Sequence, residues 1–297
     1  MSRFVQNLKD FDSESRILDF VDSALPNTKS GENVMKKYII ANWKNHPDSL
    51  AEAQEILEFT NDYLESLNDS SAGGKEFSLV ICPPFVFTEE VGKILKTSHL
   101  EHNAVLGVQD IVIEDKTTLT GEVSGPMLQK LGVQYVIIGH SERRWKLGES
   151  NETVNQKLKT TLRNGFIPIV CIGERVRDDN FEKFLEGQIT GTFEGLSADE
   201  IGKCIIAYEP VGAISTNPGA RPDTPASALE SIYIIKEVLA KTYNLKPNNL
   251  VLYGGSVNSK NVRDFLGEEE IDGVLVGGAS VNKEEFVKIL EITASLK

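Results

Sequence analysis

Cysteine is nearly absent from this chain. Cys82, Cys171 and Cys204 are its three cysteines, each in or just after an apolar run, and none forms a Cys-x-x-Cys pair. So odd and sparse a set argues against a disulfide scaffold or a zinc site, and makes a reducing cytosol the natural compartment. Long apolar runs are missing too: none approaches the ~18 residues of a membrane helix. Positive charge is in short supply, with 31 Lys and Arg against 44 Asp and Glu, a net charge of −13. Polyanions need a basic face, so a global nucleic-acid footprint is excluded; an anionic substrate would need local groups that overcome the field of the whole protein. The nearest approach to metal spacing, His99-x-x-His102, lies in a polar stretch and reads as surface. What is present is globular: 297 residues, 40% hydrophobic and 25% charged, enough for one (β/α)8 barrel or two ordinary domains.

Residues 1–34 differ from the rest. Phe4, Val5, Leu8, Phe11, Ile17, Leu18, Phe20 and Val21 form a weak amphipathic pattern interleaved with Asp10, Asp12, Glu14, Asp19 and Asp22. The acids disqualify a mitochondrial presequence, and the interrupted apolar stretch disqualifies a signal peptide. Pro26 to Asn33 reads as a polar linker, and Met35 opens the domain that runs over 35–297. The preceding segment is either an appended, weakly ordered arm or the product of an upstream start site.

From Met35 onward, β-branched runs alternate with amphipathic ones. Strands are expected at Tyr38–Asn42, Ser78–Cys82, Val105–Gln109, Tyr135–Gly139, Ile167–Cys171, Cys204–Glu209, Leu250–Tyr253 and Gly273–Val276. Most are continuously apolar, as parallel strands covered on both faces are. Helical spacing joins Ala51, Ile56, Leu57, Phe59, Leu64 and Leu67; Val154, Leu158, Leu162 and Phe166; and Leu229, Ile232, Ile235 and Leu239. Asn180–Phe193, Ser259–Leu266 and Lys283–Leu296 are also helix-like, and Thr224-Pro225 reads as a cap and first residue. Eight strand–helix units predict an α/β protein closed into a (β/α)8 barrel. The rival, a doubly wound sheet, usually shows Gly-x-Gly-x-x-Gly after its first strand. Here that strand ends in Asn42-Trp43-Lys44-Asn45.

Barrel active sites gather at the C-terminal ends of the strands. Strand 1 ends in Asn42-Trp43-Lys44, strand 4 in Gly139-His140-Ser141-Glu142, strand 6 in Tyr208-Glu209-Pro210, strand 7 in Gly254-Gly255-Ser256, and strand 8 in Gly277-Gly278. Singly, each has an ordinary reading: a solvated lysine, a structural histidine, a glutamate paired with arginine, glycines in turns. Their occurrence in order at the rim of one barrel makes chance agreement a poor account. The set suits proton abstraction beside a carbonyl. Glu209 can move a carbon-bound proton, His140 can polarise the carbonyl, and Lys44 can stabilise an enediolate and a phosphate dianion. Backbone N–H groups around Gly255, Ser256, Gly277 and Gly278 can wrap phosphate oxygens. This chemistry calls for no metal and no organic cofactor.

The motifs Ala41-Asn42-Trp43-Lys44, Thr120-Gly121-Glu122-Val123-Ser124, Ile138-Gly139-His140-Ser141-Glu142-Arg143-Arg144 and Cys171-Ile172-Gly173-Glu174 resemble those of the triosephosphate isomerase family. So do Ala207-Tyr208-Glu209-Pro210-Val211, Tyr253-Gly254-Gly255-Ser256-Val257 and Val276-Gly277-Gly278-Ala279-Ser280. The resemblance runs from about Lys37 to Ile292 and implies a TIM barrel that interconverts dihydroxyacetone phosphate and D-glyceraldehyde 3-phosphate in glycolysis and gluconeogenesis, in the cytoplasm. It implies, as is known of the family, Glu209 as catalytic base and His140 as an electrophile kept neutral by the N-terminus of a short helix near Ser141. Lys44 and Asn42 would hold the substrate and developing oxyanion, and Glu142 would orient Lys44. Ser256, Gly277 and Gly278 would bind phosphate with the backbone N–H of Ser215. A homodimer is implied, with the loop Asp110–Glu122 reaching the neighbouring subunit and Thr120 near its site. The partner is then a small phosphorylated triose, with no nucleic acid and no membrane.

The chain departs from the family pattern in places. Gly212 replaces an aromatic hinge residue, and a longer Pro218–Asp223 segment follows. Glycine raises the entropy of the open loop, which predicts closure less favourable by ~1 kcal/mol. The loop Lys44-Asn45-His46-Pro47 is one residue shorter, and Asp110 stands where the family typically has Asn. Two other readings stay open: an isomerase of a longer ketose phosphate, and a non-catalytic phosphosugar-binding protein.

Overall fold

The computed structural model describes residues 36–69, 77–98, 100, 104–213, 223–245 and 249–296. The barrel unit begins at Lys37. Residues 1–34, His99, His102 and Ser215 lie outside the described residues.

Eight parallel strands close on themselves in chain order: β1 Lys37–Asn42, β2 Phe77–Cys82, β3 Ala104–Val108, β4 Tyr135–Ile138, β5 Ile167–Ile172, β6 Ile205–Tyr208, β7 Val251–Tyr253 and β8 Gly273–Val276. All eight expected strands are present, with ends displaced by a residue or so. The seam is made by β1 and β8, in register from Tyr38 opposite Gly273 to Ala41 opposite Val276.

Each strand is buried on both faces, which is why its sequence is apolar throughout rather than alternating. Along β1, Tyr38 and Ile40 point into the barrel, where they meet Val80, Tyr135, Ile137, Ile169 and Leu275. Ile39 and Ala41 point outward, into the layer shared with the helices, beside Ile56, Leu57, Phe286 and Ile289. The two layers form separate clusters on the two faces of the strands, and each fully buried aliphatic side chain contributes roughly 1.5–3 kcal/mol.

The helices lie between the strands. The long ones are Leu50–Asp69, Asn151–Arg163, Phe181–Thr192, Pro225–Tyr243 and Lys283–Ala294. Their starts follow capping chemistry. Thr224 Oγ1 accepts the Ser227 N–H at 3.2 Å with Pro225 behind it, Ser150 Oγ accepts the Thr153 N–H at 3.2 Å, and Asn282 Oδ1 accepts the Glu285 N–H at 3.0 Å. The helix expected over 259–266 begins only at Val262, because residues 258–261 form a hydrogen-bonded turn of their own. The helix Thr88–Thr97 was not expected: within it only Val91 and Leu95 are large, fully buried apolar residues, too thin a pattern to read from sequence. No helix of the described residues is long and apolar enough to cross a membrane.

Candidate active site

The C-terminal rim of the barrel encloses a cavity of about 270 Å³ lined by Asn42, Lys44, His140, Glu209 and the glycine turns after β7 and β8. The strand ends read from sequence are thus brought to one place.

β1 delivers Lys44 in a constrained backbone. Its φ is +54°, a left-handed conformation that costs a non-glycine residue on the order of 1 kcal/mol or more. Two contacts hold it there. The Lys44 N–H donates to Asn42 Oδ1 at 3.0 Å, and Gln109 Nε2 donates to the Lys44 carbonyl at 2.7 Å and to the Cys82 carbonyl at 3.0 Å. The ammonium lies 2.9 Å from Glu142 Oε1. Burial alone would raise the Glu142 pKa. The charge and hydrogen bond of Lys44, helped by His140 and Lys146, outweigh burial and hold it below its ordinary value.

β4 runs into the short helix Ser141–Lys146, with His140 as its N-cap. The Glu142 N–H donates to His140 Nδ1 at 3.2 Å, so that nitrogen acts as an acceptor and Nε2 is the ring atom turned toward the cavity. Nε2 faces Glu209 Oε1 at 2.9 Å. The other Glu209 oxygen accepts the Ser141 N–H at 2.8 Å. Glu209 is only 2% exposed. Burial pushes its pKa up, but His140, the Ser141 N–H and the Lys44 ammonium together hold the carboxyl below its ordinary value. Glu209 is therefore a carboxylate at neutral pH, ready to accept a proton.

Two supports went unrecognised in the sequence. Arg144, buried under the rim, donates from Nε to the Gly139 carbonyl at 2.7 Å, from Nη1 to Asn151 Oδ1 at 2.8 Å and from Nη2 to the Cys171 carbonyl at 3.3 Å, tying the end of β4 to β5. Gly173, just past β5, lets that strand pass so close to β6 that a Cβ there would stand 1.9 Å from the Glu209 carbonyl oxygen. Neither has a periodic signature, since each acts on backbone atoms of a distant strand.

The glycine turns open the floor of the cavity. Under Gly255 the Tyr253 ring folds back onto Phe265, stacked at 3.8 Å between centroids, and leaves no room for a Cβ. A Cβ on Gly277 would lie 3.0 Å from Lys44 Cε, so the lysine stem packs against the β8 turn. Ser256 and Gly278 also line the cavity. Asp110 and Thr120, at either side of the loop expected to reach a partner, do not. Asp110 is buried, its carboxylate held by Lys157 Nζ at 2.6 and 2.7 Å and by Arg143 Nη2 at 2.7 Å, while Thr120 is exposed.

A closed barrel with a carboxylate, an imidazole, an ammonium and a glycine-lined floor at its C-terminal rim defines an enzyme of the (β/α)8 class. Comparison with known proteins narrows this. The family model described as "Triosephosphate isomerase" matches residues 37–293. The triosephosphate isomerase of Thermoanaerobacter sp. is 39% identical over 263 residues, 86% of this chain and 99% of that protein. That of Caldanaerobacter subterraneus is 40% identical over 262 residues, with 86% and 99% covered. The crystal structure of triosephosphate isomerase from Bartonella henselae superposes with a TM-score of 0.71 at 28% identity, covering 86% of this chain and 98% of that one. The chain belongs to the triosephosphate isomerase family.

Proposed function

We propose that this pocket interconverts dihydroxyacetone phosphate and D-glyceraldehyde 3-phosphate through an enediolate, with Glu209 as the base. The observation that carries the reading is the carboxylate of Glu209 facing the Nε2–H of His140 at 2.9 Å in a cavity that also holds Lys44. The substrate carbonyl takes over the His140 Nε2–H. Glu209 removes the proton from the neighbouring carbon, the enediolate forms, and Glu209 returns the proton to the adjacent carbon. His140 polarises the carbonyl and shuttles the hydroxyl proton. Lys44 and Asn42 hold the substrate oxygens, and the ammonium stabilises the developing charge. Glu142 keeps Lys44 in place across 2.9 Å.

The phosphate sits over Gly255, Ser256, Gly277 and Gly278, with Ser215 contributing its N–H. The family membership and the glycine-lined floor support this placement. The enzyme works as a homodimer through the Asp110–Glu122 loop. In support, Leu119 in that loop is an exposed large apolar side chain at 52%, available to a partner surface. Residues 1–34 are an extension ahead of the catalytic barrel, either an appended arm or the product of an upstream start site, and the family match begins at residue 37. Three free, buried thiols fit a cytoplasmic enzyme.

The test is Glu209→Gln, assayed with D-glyceraldehyde 3-phosphate. General-base catalysis accounts for roughly 10²–10⁴ in rate, so kcat should fall by about 10³ or more while inorganic phosphate still competes. Turnover within tenfold of the parent would remove Glu209 from the role of base.

A further inference from the structure

The turn after β7 contains more machinery than its glycines. The Asn258 Oδ1 accepts the Lys260 N–H at 2.9 Å, starting a helical turn. The Asn261 Oδ1 accepts the Asn258 N–H at 2.9 Å, closing the turn from its other end. Asn261 is also the residue before the helix Val262–Leu266, where an asparagine normally caps its own helix; its side chain makes no such bond. Its remaining group goes elsewhere: Nδ2 donates to the Ser256 carbonyl at 2.8 Å. One amide therefore spans the turn, accepting at Asn258 and donating at Ser256. From the C-terminal side, Glu285 Oε1 accepts the Ser259 N–H at 2.6 Å and fixes the far end of the turn to the helix Lys283–Ala294. Ser256, Val257 and Asn258 are the segment of this turn that lines the cavity.

We propose that Asn261 is a positioning residue for the phosphate subsite, holding the Ser256–Asn258 backbone in the shape that receives the dianion. This rests on the reading above that the phosphate sits over Ser256. The physical reason is pre-organisation. Groups that hold an anion cost nothing to reorganise only if they are fixed beforehand, and a turn next to Gly254 and Gly255 has little intrinsic stiffness. Asn261 lines no part of the cavity and touches no reacting atom. Its effect should reach the phosphate end of the substrate and leave the carbonyl end alone.

The experiment compares the full chain with Asn261→Ala and Asn261→Asp; the aspartate keeps the acceptor to Asn258 and loses the donor to Ser256. Three quantities are read: KM and kcat for D-glyceraldehyde 3-phosphate, inhibition by inorganic phosphate, and kcat/KM for D-glyceraldehyde, which has no phosphate. The expected result for both variants is a rise of about tenfold in KM and in the phosphate inhibition constant, the size of one lost hydrogen-bond constraint. Turnover of D-glyceraldehyde should stay within about twofold. Unchanged KM and phosphate inhibition in both variants would overturn the proposal and leave the subsite standing. An equal loss on both substrates would overturn it as well, by showing general damage to the barrel. Failure of phosphate to compete in the parent chain would overturn the subsite reading, and the role of Asn261 with it. Should Asn261→Ala not fold, Asn261→Asp carries the same readouts.

Discussion

Gly173→Ala tests how tightly the base is held by its strand neighbours. The added Cβ would stand 1.9 Å from the Glu209 carbonyl oxygen, where real contacts begin near 3.0 Å, so β5 and β6 must part by about 1.1 Å. The obstructing atom is backbone and cannot rotate away. Nor can the strain spread easily, because the Glu209 N–H donates to the Ile172 carbonyl at 2.8 Å and the Gly254 N–H to the Tyr208 carbonyl at 2.7 Å. The displacement therefore reaches the Glu209 side chain. A misplacement of ~1 Å at a reacting group costs on the order of 10² in rate. Overpacking of this kind also destabilises by roughly 1–3 kcal/mol, or ~2–4 °C in Tm per kcal/mol for a chain of this size. The expected outcome in a coupled assay with D-glyceraldehyde 3-phosphate is kcat down about 100-fold with KM little changed, since the glycine floor is untouched. Gly187→Ala is the control: it lies in the helix Phe181–Thr192 with nothing within 4 Å of its Cβ position, and should leave kcat alone. A Gly173→Ala enzyme with kcat within about threefold of the parent and an unshifted Tm would refute the claim that this approach positions the base.

Asp110 should make stability depend on pH. Burial, with Glu149 adding to it, outweighs Lys157 and Arg143 and pushes its carboxyl from 3.8 up to about 6. The folded chain therefore keeps a proton that the unfolded chain has released. The contribution is complete below about pH 4 and is lost as pH rises through about 6, worth roughly 3 kcal/mol in all. Urea unfolding at fixed protein concentration should show Asp110→Asn lacking this loss between pH 4 and 7; identical pH slopes would count against it. Gly212→Trp should stiffen the segment after Pro210. A Cβ at Gly212 meets no described atom closer than the Arg175 carbonyl oxygen at 3.8 Å. A gain of ~1 kcal/mol in closure corresponds to about fivefold in kcat/KM. Unchanged kcat/KM, together with unchanged temperature-jump relaxation, would dismiss the hinge argument.

The barrel was legible because continuous apolar runs such as Tyr38–Asn42 and Ile167–Cys171 admit few structures other than strands covered on both faces. Lys44, His140 and Glu209 were legible for a related reason: the architecture says where chemistry gathers, and polar residues at strand ends stand out. The supporting residues were not. Gln109 read as the last residue of a strand, yet it bonds carbonyls at Lys44 and Cys82, 65 and 27 residues away. Asp110 read as the first residue of the loop to Glu122, and its buried contact with Lys157, 47 residues on, had no local signal. Asn261 read as part of a helix and instead braces a turn. Each acts through a partner that only the closed barrel brings near, and no local pattern encodes that.

The seam between β1 and β8 has a consequence for how the protein is made. Lys44 follows the first strand of the barrel and Gly277 follows the eighth, and they meet only across that seam. A nascent chain on the ribosome carries β1 with one edge unpaired until β8 has been translated. Until β8 emerges there is no lysine-packed floor, and an apolar strand edge stands open to any other growing chain. Completion of the floor and closure of that edge therefore arrive together, when β8 joins the barrel.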